Sequence, residues 1–528
     1  MGNSELPIPD GLILRPFRGV RFAVDDPAKV TSPPYDLISD GDVRALLDVH
    51  PNNVVRLILP LSPGTDARKI PTEHRSAEQR TSQETDKSQS SAQKAPDPRY
   101  AEARRTLQAW LDAGVLVPDE EPALYVYEQR GPGVLQRGLI GDVCLPDPAQ
   151  RIVLPHEDVL PGPIADRLAL MSTTQANLEP IFLLYNGQNG VATRLVDEVA
   201  TGRPPMVTAH TEDGLTHRLW AITDEAEIAA VNADLLPRQA LIADGHHRYA
   251  TYRILQRREH ALHPTLVPPS QSRTGQPEPT GPRQATVDEA AGPEPTAGHR
   301  DEPGPDERDS RTGHREPPSG RENAGRDALD SEQPPEPVKR SPWDFGLALL
   351  VDTDAYPPEL KAIHRVIPRL PLDEAVARAK GSWRVQDFTD LDEGLAALHD
   401  AEGPAFLLAC GADVHLLSNP DPLQLAQAMP ADRSARWNSL NTSILTEFVL
   451  PKVWGLRDDE ETVRIVHHDP RAAAELAGTT GGTAVILEPL AVADVLAVAA
   501  GGERVPRKST SFGPKPRTGL ILRTFAIR

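Results

Sequence analysis

Ala123-Leu124-Tyr125-Val126-Tyr127, the turn Gly131-Pro132-Gly133 and the run Gly138-Leu139-Ile140-Gly141-Asp142-Val143 are the stretch on which the fold class turns. Two apolar, β-prone runs on either side of a Gly-Pro-Gly turn predict an antiparallel hairpin. Just before it, Ala101 to Ala113 has a helical pattern. Hairpins mixed with helices argue for an α+β protein with mixed sheets rather than a regular βαβ repeat. Further strands are predicted at Leu12–Leu14, Ile181–Tyr185, His217–Ile222 and Ala240–Ala243. Later in the chain they are predicted at Leu347–Val351, Ala405–Ala409, Val414–Leu417, Val463–His467 and Ala484–Glu488. Helices are predicted at Val43–Val49 (capped by Ser39-Asp40), Leu372–Lys380, Asn441–Val453 (capped by Asn441 or Thr442) and Ala491–Ala500.

Composition sets the limits of this pattern. The chain has 528 residues, 54 prolines and a formal net charge of −20, from 56 basic and 76 acidic side chains. Residues 261–340 hold 15 prolines and no aromatic residue, isoleucine or methionine. Such a segment cannot bury enough apolar surface to offset a chain-entropy cost of roughly 1–2 kcal/mol per residue. Residues 62–99 have the same polar character. Both are expected to be disordered insertions, the later one with room for a protein partner. The layout expected is an N-terminal segment of the core (1–61), an insertion (62–99), an α+β domain (100–260), a proline-rich insertion (261–340) and a C-terminal α+β domain (341–528).

Two cysteines, Cys144 and Cys410, cannot build a disulfide framework and suit a reducing compartment. The acidic balance argues against broad binding to nucleic acid or to an anionic membrane. No stretch resembles a signal peptide or a spanning helix, because the most apolar late segment is broken by Glu488, Pro489 and Asp494. A cytoplasmic protein acting on a small molecule is the expectation.

The sharpest chemical pattern is Leu241-Ile242-Ala243-Asp244-Gly245-His246-His247-Arg248-Tyr249. An apolar strand ends in an Asp-Gly turn, and Tyr249, Tyr252 and Leu255 follow at helical spacing. Such a turn presents backbone N–H groups and the positive end of a helix dipole to an anion. Gly245, His246, His247 and Arg248 would then be phosphate donors, and Asp244 an acceptor for a metal ion or a hydroxyl proton. A second cluster is His156-Glu157-Asp158, Asp166-Arg167 and Asn177, with Glu157 as a potential general base and Arg167 as an anion clamp. A third is the basic, hydroxyl-rich loop with Lys508, Ser509, Thr510 and Lys515, suited to phosphate although no Walker A frame is present. Adjacent pairs such as His467-His468 diverge on a strand, so a zinc site is not expected from them.

Several segments, in order, resemble the bacterial family called domain of unknown function 1015. They are Arg15-Pro16-Phe17-Arg18-Gly19, Pro33-Pro34-Tyr35-Asp36, Asn53 to Leu57, Leu154-Pro155-His156-Glu157, Ala176 to Phe182, Ala243 to Tyr249, and Lys508-Ser509-Thr510 with Lys515. The Asp-Gly-His-His-Arg stretch is also similar to one in free-serine kinases of the ParB/sulfiredoxin superfamily. That resemblance implies Asp244 as a catalytic group, Glu157 as the candidate base, and His246, His247 and Arg248 around the phosphates. ATP or ADP with Mg is the expected cofactor, and His156, Asn177 and Asp36 are expected on the substrate side. Two functional readings follow: a kinase phosphorylating the hydroxyl of a small metabolite such as L-serine, and a non-catalytic nucleotide-binding regulatory module. A site shared by the Asp244 and Lys508 regions is required by the first.

Overall fold

The hairpin forms as the sequence predicts. Leu124–Gly131 and Val134–Cys144 pair antiparallel, and Gly131 opposite Val134 closes the turn on Pro132 and Gly133. The structure, a computed structural model, describes residues 11–62, 97–263, 341–459 and 461–527. The insertions expected at 62–99 and 261–340 lie outside the described residues except at their ends. Those ends are helical where insertion was expected: one helix already starts at Pro98, and another continues to Leu262.

The hairpin is the centre of a nine-stranded mixed sheet. From one edge the order is Val153–Leu154, Ala240–Asp244, Ile181–Tyr185, Phe345–Asp352, the two hairpin strands, Thr216–Ile222 and Val207–His210, with Leu14–Arg15 on the second hairpin strand. Phe345–Asp352 is buried at all eight positions. It runs parallel to Ile181–Tyr185 and antiparallel to Val134–Cys144. Ala348 and Leu350 pack into the core on one face, and Leu347, Leu349 and Val351 into that on the other. The block after residue 341 therefore gives its first strand to the first sheet, because an eight-residue apolar strand needs cover on both faces.

The rest of that block builds a six-stranded sheet in the order Arg384–Phe388, Asp413–Ser418, Ala405–Cys410, Thr483–Ile486, Ile363–Ile367 and Arg464–His467. The helix expected over 441–453 is α-helical only from Asn441 to Ile444 and continues as a π-helix from Leu445 to Val453 around Pro451. Its N-cap is Leu440, which has no capping side chain, so neither Asn441 nor Thr442 serves there. Among the described residues no helix is long and apolar enough to cross a membrane.

Candidate functional site

Two parallel strands position the site. Ala240 lies opposite Val153 and Leu241 opposite Leu154. Three residues further along each strand are Asp244 and Glu157, so carboxylates 87 positions apart in sequence leave the sheet at the same carboxyl-terminal edge. Ligands of open α/β sheets collect outside such edges. Gly245 then turns the chain at φ 92° into the helix His246–Leu262, whose N-terminus has no side-chain cap. Glycine is required here: a Cβ would lie 3.0 Å from Ile181 Cγ2 and 3.2 Å from the Arg248 guanidinium carbon, at a φ that L side chains rarely adopt.

The loop from Val505 to Thr518 closes over this edge. The Val505 N–H donates to the His156 carbonyl at 2.8 Å. Ser511–Gly513 pairs with Glu359–Lys361, and the Gln129 side chain donates to the Pro514 carbonyl at 2.9 Å. Asp36, on the short turn Tyr35–Leu37, reaches the same place. One pocket is thus lined by Asp36, Glu157, Asp244 to Arg248, Lys508, Thr510 and Lys515, all of them expected from sequence. The Asp244 and Lys508 regions share it.

Charge is locked in pairs. Lys515 Nζ bonds to Asp36 Oδ2 and lies 2.5 Å from Asp244 Oδ1. Arg248 contacts the other Asp244 oxygen at 2.5 Å and donates to the Pro180 carbonyl at 2.5 Å. Burial alone would raise the Asp36 carboxyl, but the Lys515 ammonium, with Arg248 and Lys508, holds it well below the usual carboxylate range. The Lys515 ammonium is opposed by its burial, yet the two aspartates raise it above its ordinary value.

Glu157 has a different setting. Its Oε1 accepts from the Ser509 N–H at 3.1 Å, the Thr510 N–H at 2.9 Å and the Thr510 hydroxyl at 2.6 Å. Burial raises its pKa, and the Thr510 hydroxyl, Lys508 and the two amides only partly offset this. The Ser509 hydroxyl donates to the Pro506 carbonyl at 2.6 Å, so only its main chain serves the site.

The two histidines of the turn accept from the main chain. His246 Nε2 accepts from the His156 N–H at 3.4 Å, and His247 Nε2 from the Leu160 N–H at 3.0 Å. Burial lowers His246 well below its ordinary value, helped by His156 and His247. His156 is fully buried behind the pocket, bonded to Thr510 at 2.7 Å, and pushed down to about 3 by burial.

Two expected residues lie elsewhere. Arg167 is buried against Asp166 and the Ile58 carbonyl, with its guanidinium 4.4 Å over the Tyr35 ring, and lines a small cavity behind the site. Asn177 lines that same cavity and accepts from Arg523 at 2.8 Å and from the Leu347 N–H at 3.3 Å. Pocket-lining residues outside the expected clusters include Leu160, Ile363 and His467. Ile363 and His467 come from the six-stranded sheet, so both sheets contribute. His467 is lowered to about 4 by burial and by Lys508 and Lys515.

Among solved structures, SbnI with C-terminal truncation from Staphylococcus aureus aligns at TM-score 0.31 and 9% identity, over 73% of this chain and 88% of its own. A free serine kinase in complex with AMP aligns at TM-score 0.29 and 11% identity, over 69% and 84%. A conserved hypothetical protein from Pyrococcus furiosus aligns at TM-score 0.29 and 11% identity, over 69% and 87%. These likenesses are loose, and no residue role is taken from them. No curated protein matches the sequence. The profile described as "Protein of unknown function (DUF1015)" matches residues 14–88 and 78–271, a span that takes in the hairpin, Glu157 and the Asp244–Arg248 turn, and the chain belongs to that family.

Proposed function

We propose that this protein is a small-molecule phosphotransferase that binds ATP or ADP with Mg and phosphorylates the hydroxyl of a metabolite such as L-serine. The observation that supports it is the convergence, in one pocket, of an uncapped helix N-terminus, Lys508, Lys515 and four carboxylates. The motif resemblance to free-serine kinases points the same way.

The residues fit a phosphate. Arg248 Nε is a buried donor without a hydrogen-bond partner, and Asp36 Oδ1 is a buried acceptor without one, suited to a cation or a hydroxyl. The free space is about 70 Å³, room for about two water-sized molecules. It would take a phosphoryl group and leave the rest of a nucleotide outside. No group of three or more His, Cys, Asp or Glu side chains among the described residues is arranged to hold a metal ion. Magnesium commonly arrives with phosphates and needs one or two carboxylates, for which Asp36 and Asp244 are the candidates.

A bound nucleotide would supply a phosphoryl group whose bond to the leaving phosphate breaks as its bond to the acceptor oxygen forms. Glu157 takes the hydroxyl proton, its pKa raised by burial. Lys508, Arg248 and the helix N-terminus hold the phosphoryl oxygens. Lys515 and Arg248 are in turn fixed by Asp244.

Phosphorus NMR of the protein with Mg-ATP or Mg-ADP, with and without L-serine, tests this. A phosphomonoester resonance that requires serine and disappears in Asp244→Asn is the expected result. Nucleotide binding with no such product from any hydroxy acid would replace the kinase by a regulatory nucleotide-binding module.

A further inference from the structure

A second concavity lies on the other side of Glu157 and His246, which line both spaces. It encloses about 860 Å³, within the range of small-molecule sites and far larger than the phosphate pocket. Its wall is one face of the helix His246–Leu262: His246, Tyr249, Ala250, Arg253, Ile254 and Arg257, at alternating spacings of three and one. Leu154, Val159 and Ile164 add apolar surface opposite.

The groove is also cationic, in a chain whose net charge is −20. Arg151, Arg253, Arg257 and Arg504 line it, against the carboxylates of Asp147 and Glu157. Arg504 pairs with Asp158 at 2.8 Å. Asp147 is engaged in capping its own turn through the Ala149 N–H at 2.8 Å. Among the described residues none of the other three arginines forms an ion pair. Arg253 donates to the carbonyls of Leu145 and Pro146 at 2.8 and 2.7 Å, and Arg151 to those of Ala499 and Ala500. Burial lowers the Arg253 pKa, and Asp147 offsets this only in part.

We propose that this groove is the acceptor site, and that it takes a hydroxy acid whose carboxylate meets the arginines and whose apolar body lies along the helix. This rests on the phosphotransfer reading above. Glu157 lines both spaces, so its carboxylate stands where the hydroxyl of an acceptor in the groove would meet the phosphoryl group in the pocket. In the transfer, the acceptor oxygen forms its bond to phosphorus, the bond from phosphorus to the leaving nucleotide oxygen breaks, and the proton passes to Glu157. L-Serine alone would leave most of the apolar wall uncovered, so the groove selects serine-like acids with a large apolar substituent.

N-Octanoyl-L-serine is a suitable probe, carrying the hydroxyl, the carboxylate and an apolar chain. Calorimetric titration of the full chain with this probe and, separately, with Mg-ADP reads the two sites. Ala250→Trp fills the groove and Arg257→Glu reverses an exposed charge, and neither residue touches the phosphate pocket. Each should weaken the probe by about tenfold or more while leaving Mg-ADP within about twofold. The wild-type protein should phosphorylate the probe in preference to L-serine. Loss of Mg-ADP affinity in Ala250→Trp would put the nucleoside in the groove and overturn the proposal. A probe that fails to bind while Mg-ADP binds would overturn it too, with the phosphotransfer reading intact. A probe that binds while Mg-ADP does not would keep a hydroxy-acid site but remove its role as acceptor site. Should Ala250→Trp fail to fold, Arg257→Glu at the exposed end of the groove gives the same comparison.

Discussion

Glu157 and Asp244 carry the same functional group in opposite electrostatic settings. Both Asp244 oxygens face cations, Lys515 and Arg248. Glu157 is bonded only to neutral donors, and burial raises its pKa with Lys508 as an opposing charge. A base acts in its deprotonated form, so the acid limb of the kcat/KM profile should lie above the ordinary glutamate value of about 4.3. The Lys508 cation holds Glu157 down, so Lys508→Met should move that limb to higher pH. Glu157→Gln should lower kcat by roughly 10²–10⁴-fold with Mg-ADP affinity little changed. An acid limb that stays in place in Lys508→Met would remove Glu157 as the base. The sequence made these carboxylates visible because each sits beside several polar types between apolar runs. It hid His467, since nothing local to Val463–His467 signals that the end of an edge strand borders a pocket built by another sheet. Arg167 misled in the reverse direction: beside Asp166 it reads as an anion clamp, yet the two neutralise each other in the core.

At the scale of elements, the loop around Lys508 is held from the six-stranded sheet. Arg365, on the strand Ile363–Ile367, is 2% exposed and donates to the carbonyls of Arg507 and Lys508 at 3.1 and 2.9 Å. It forms no ion pair among the described residues, and burial lowers its pKa to about 10. Lys508 itself sits at φ 54°, a left-handed backbone that needs such support. Arg365→Met removes both carbonyl contacts together with a costly buried cation, so stability should change little while the loop loosens. Mg-ADP affinity is expected to fall by about tenfold, or 1.4 kcal/mol, and Arg365→Lys should recover part of it. An unchanged affinity in Arg365→Met would show that the loop holds its shape unaided. The hairpin and the strands Ile181–Tyr185 and Ala240–Asp244 were legible because apolar runs ended at Gly, Pro or Asp. The helix Pro161–Thr174 was not, for it opens on Pro-Gly-Pro and closes on Ser-Thr-Thr, weak helix formers. Proline is tolerated in a first turn, and packing decides the rest. The strand Arg384–Phe388 has no fully buried position, so no hydrophobic pattern announces it.

At the scale of the whole molecule, one lysine ties together three distant parts of the chain. Lys515 joins Asp36, 479 residues upstream, to Asp244 at the carboxyl-terminal end of a strand of the first sheet. All three side chains are largely buried. Removing one member of a buried ion network leaves uncompensated charge and costs about 3–5 kcal/mol. Lys515→Met should therefore lower stability by that order near pH 7, since two aspartates would face each other without their cation. The pH dependence separates this charge effect from simple packing. Asp36 has a depressed folded-state pKa, so its contribution is fully present above the unfolded value near 4 and is lost as pH falls through the folded one. Lys515 has a raised pKa, so its contribution is fully present below about 10.4 and is lost as pH rises through the folded value. The difference in Tm between wild type and Lys515→Met should thus be widest on the plateau between these limits. It should narrow as pH drops below about 4, where the variant relieves its repulsion by taking up a proton. Thermal melts from pH 3 to 8 would read this directly. A constant difference across that range would mean that Lys515 holds these segments by packing alone, and that the pocket's charge is not what joins the two ends of the chain.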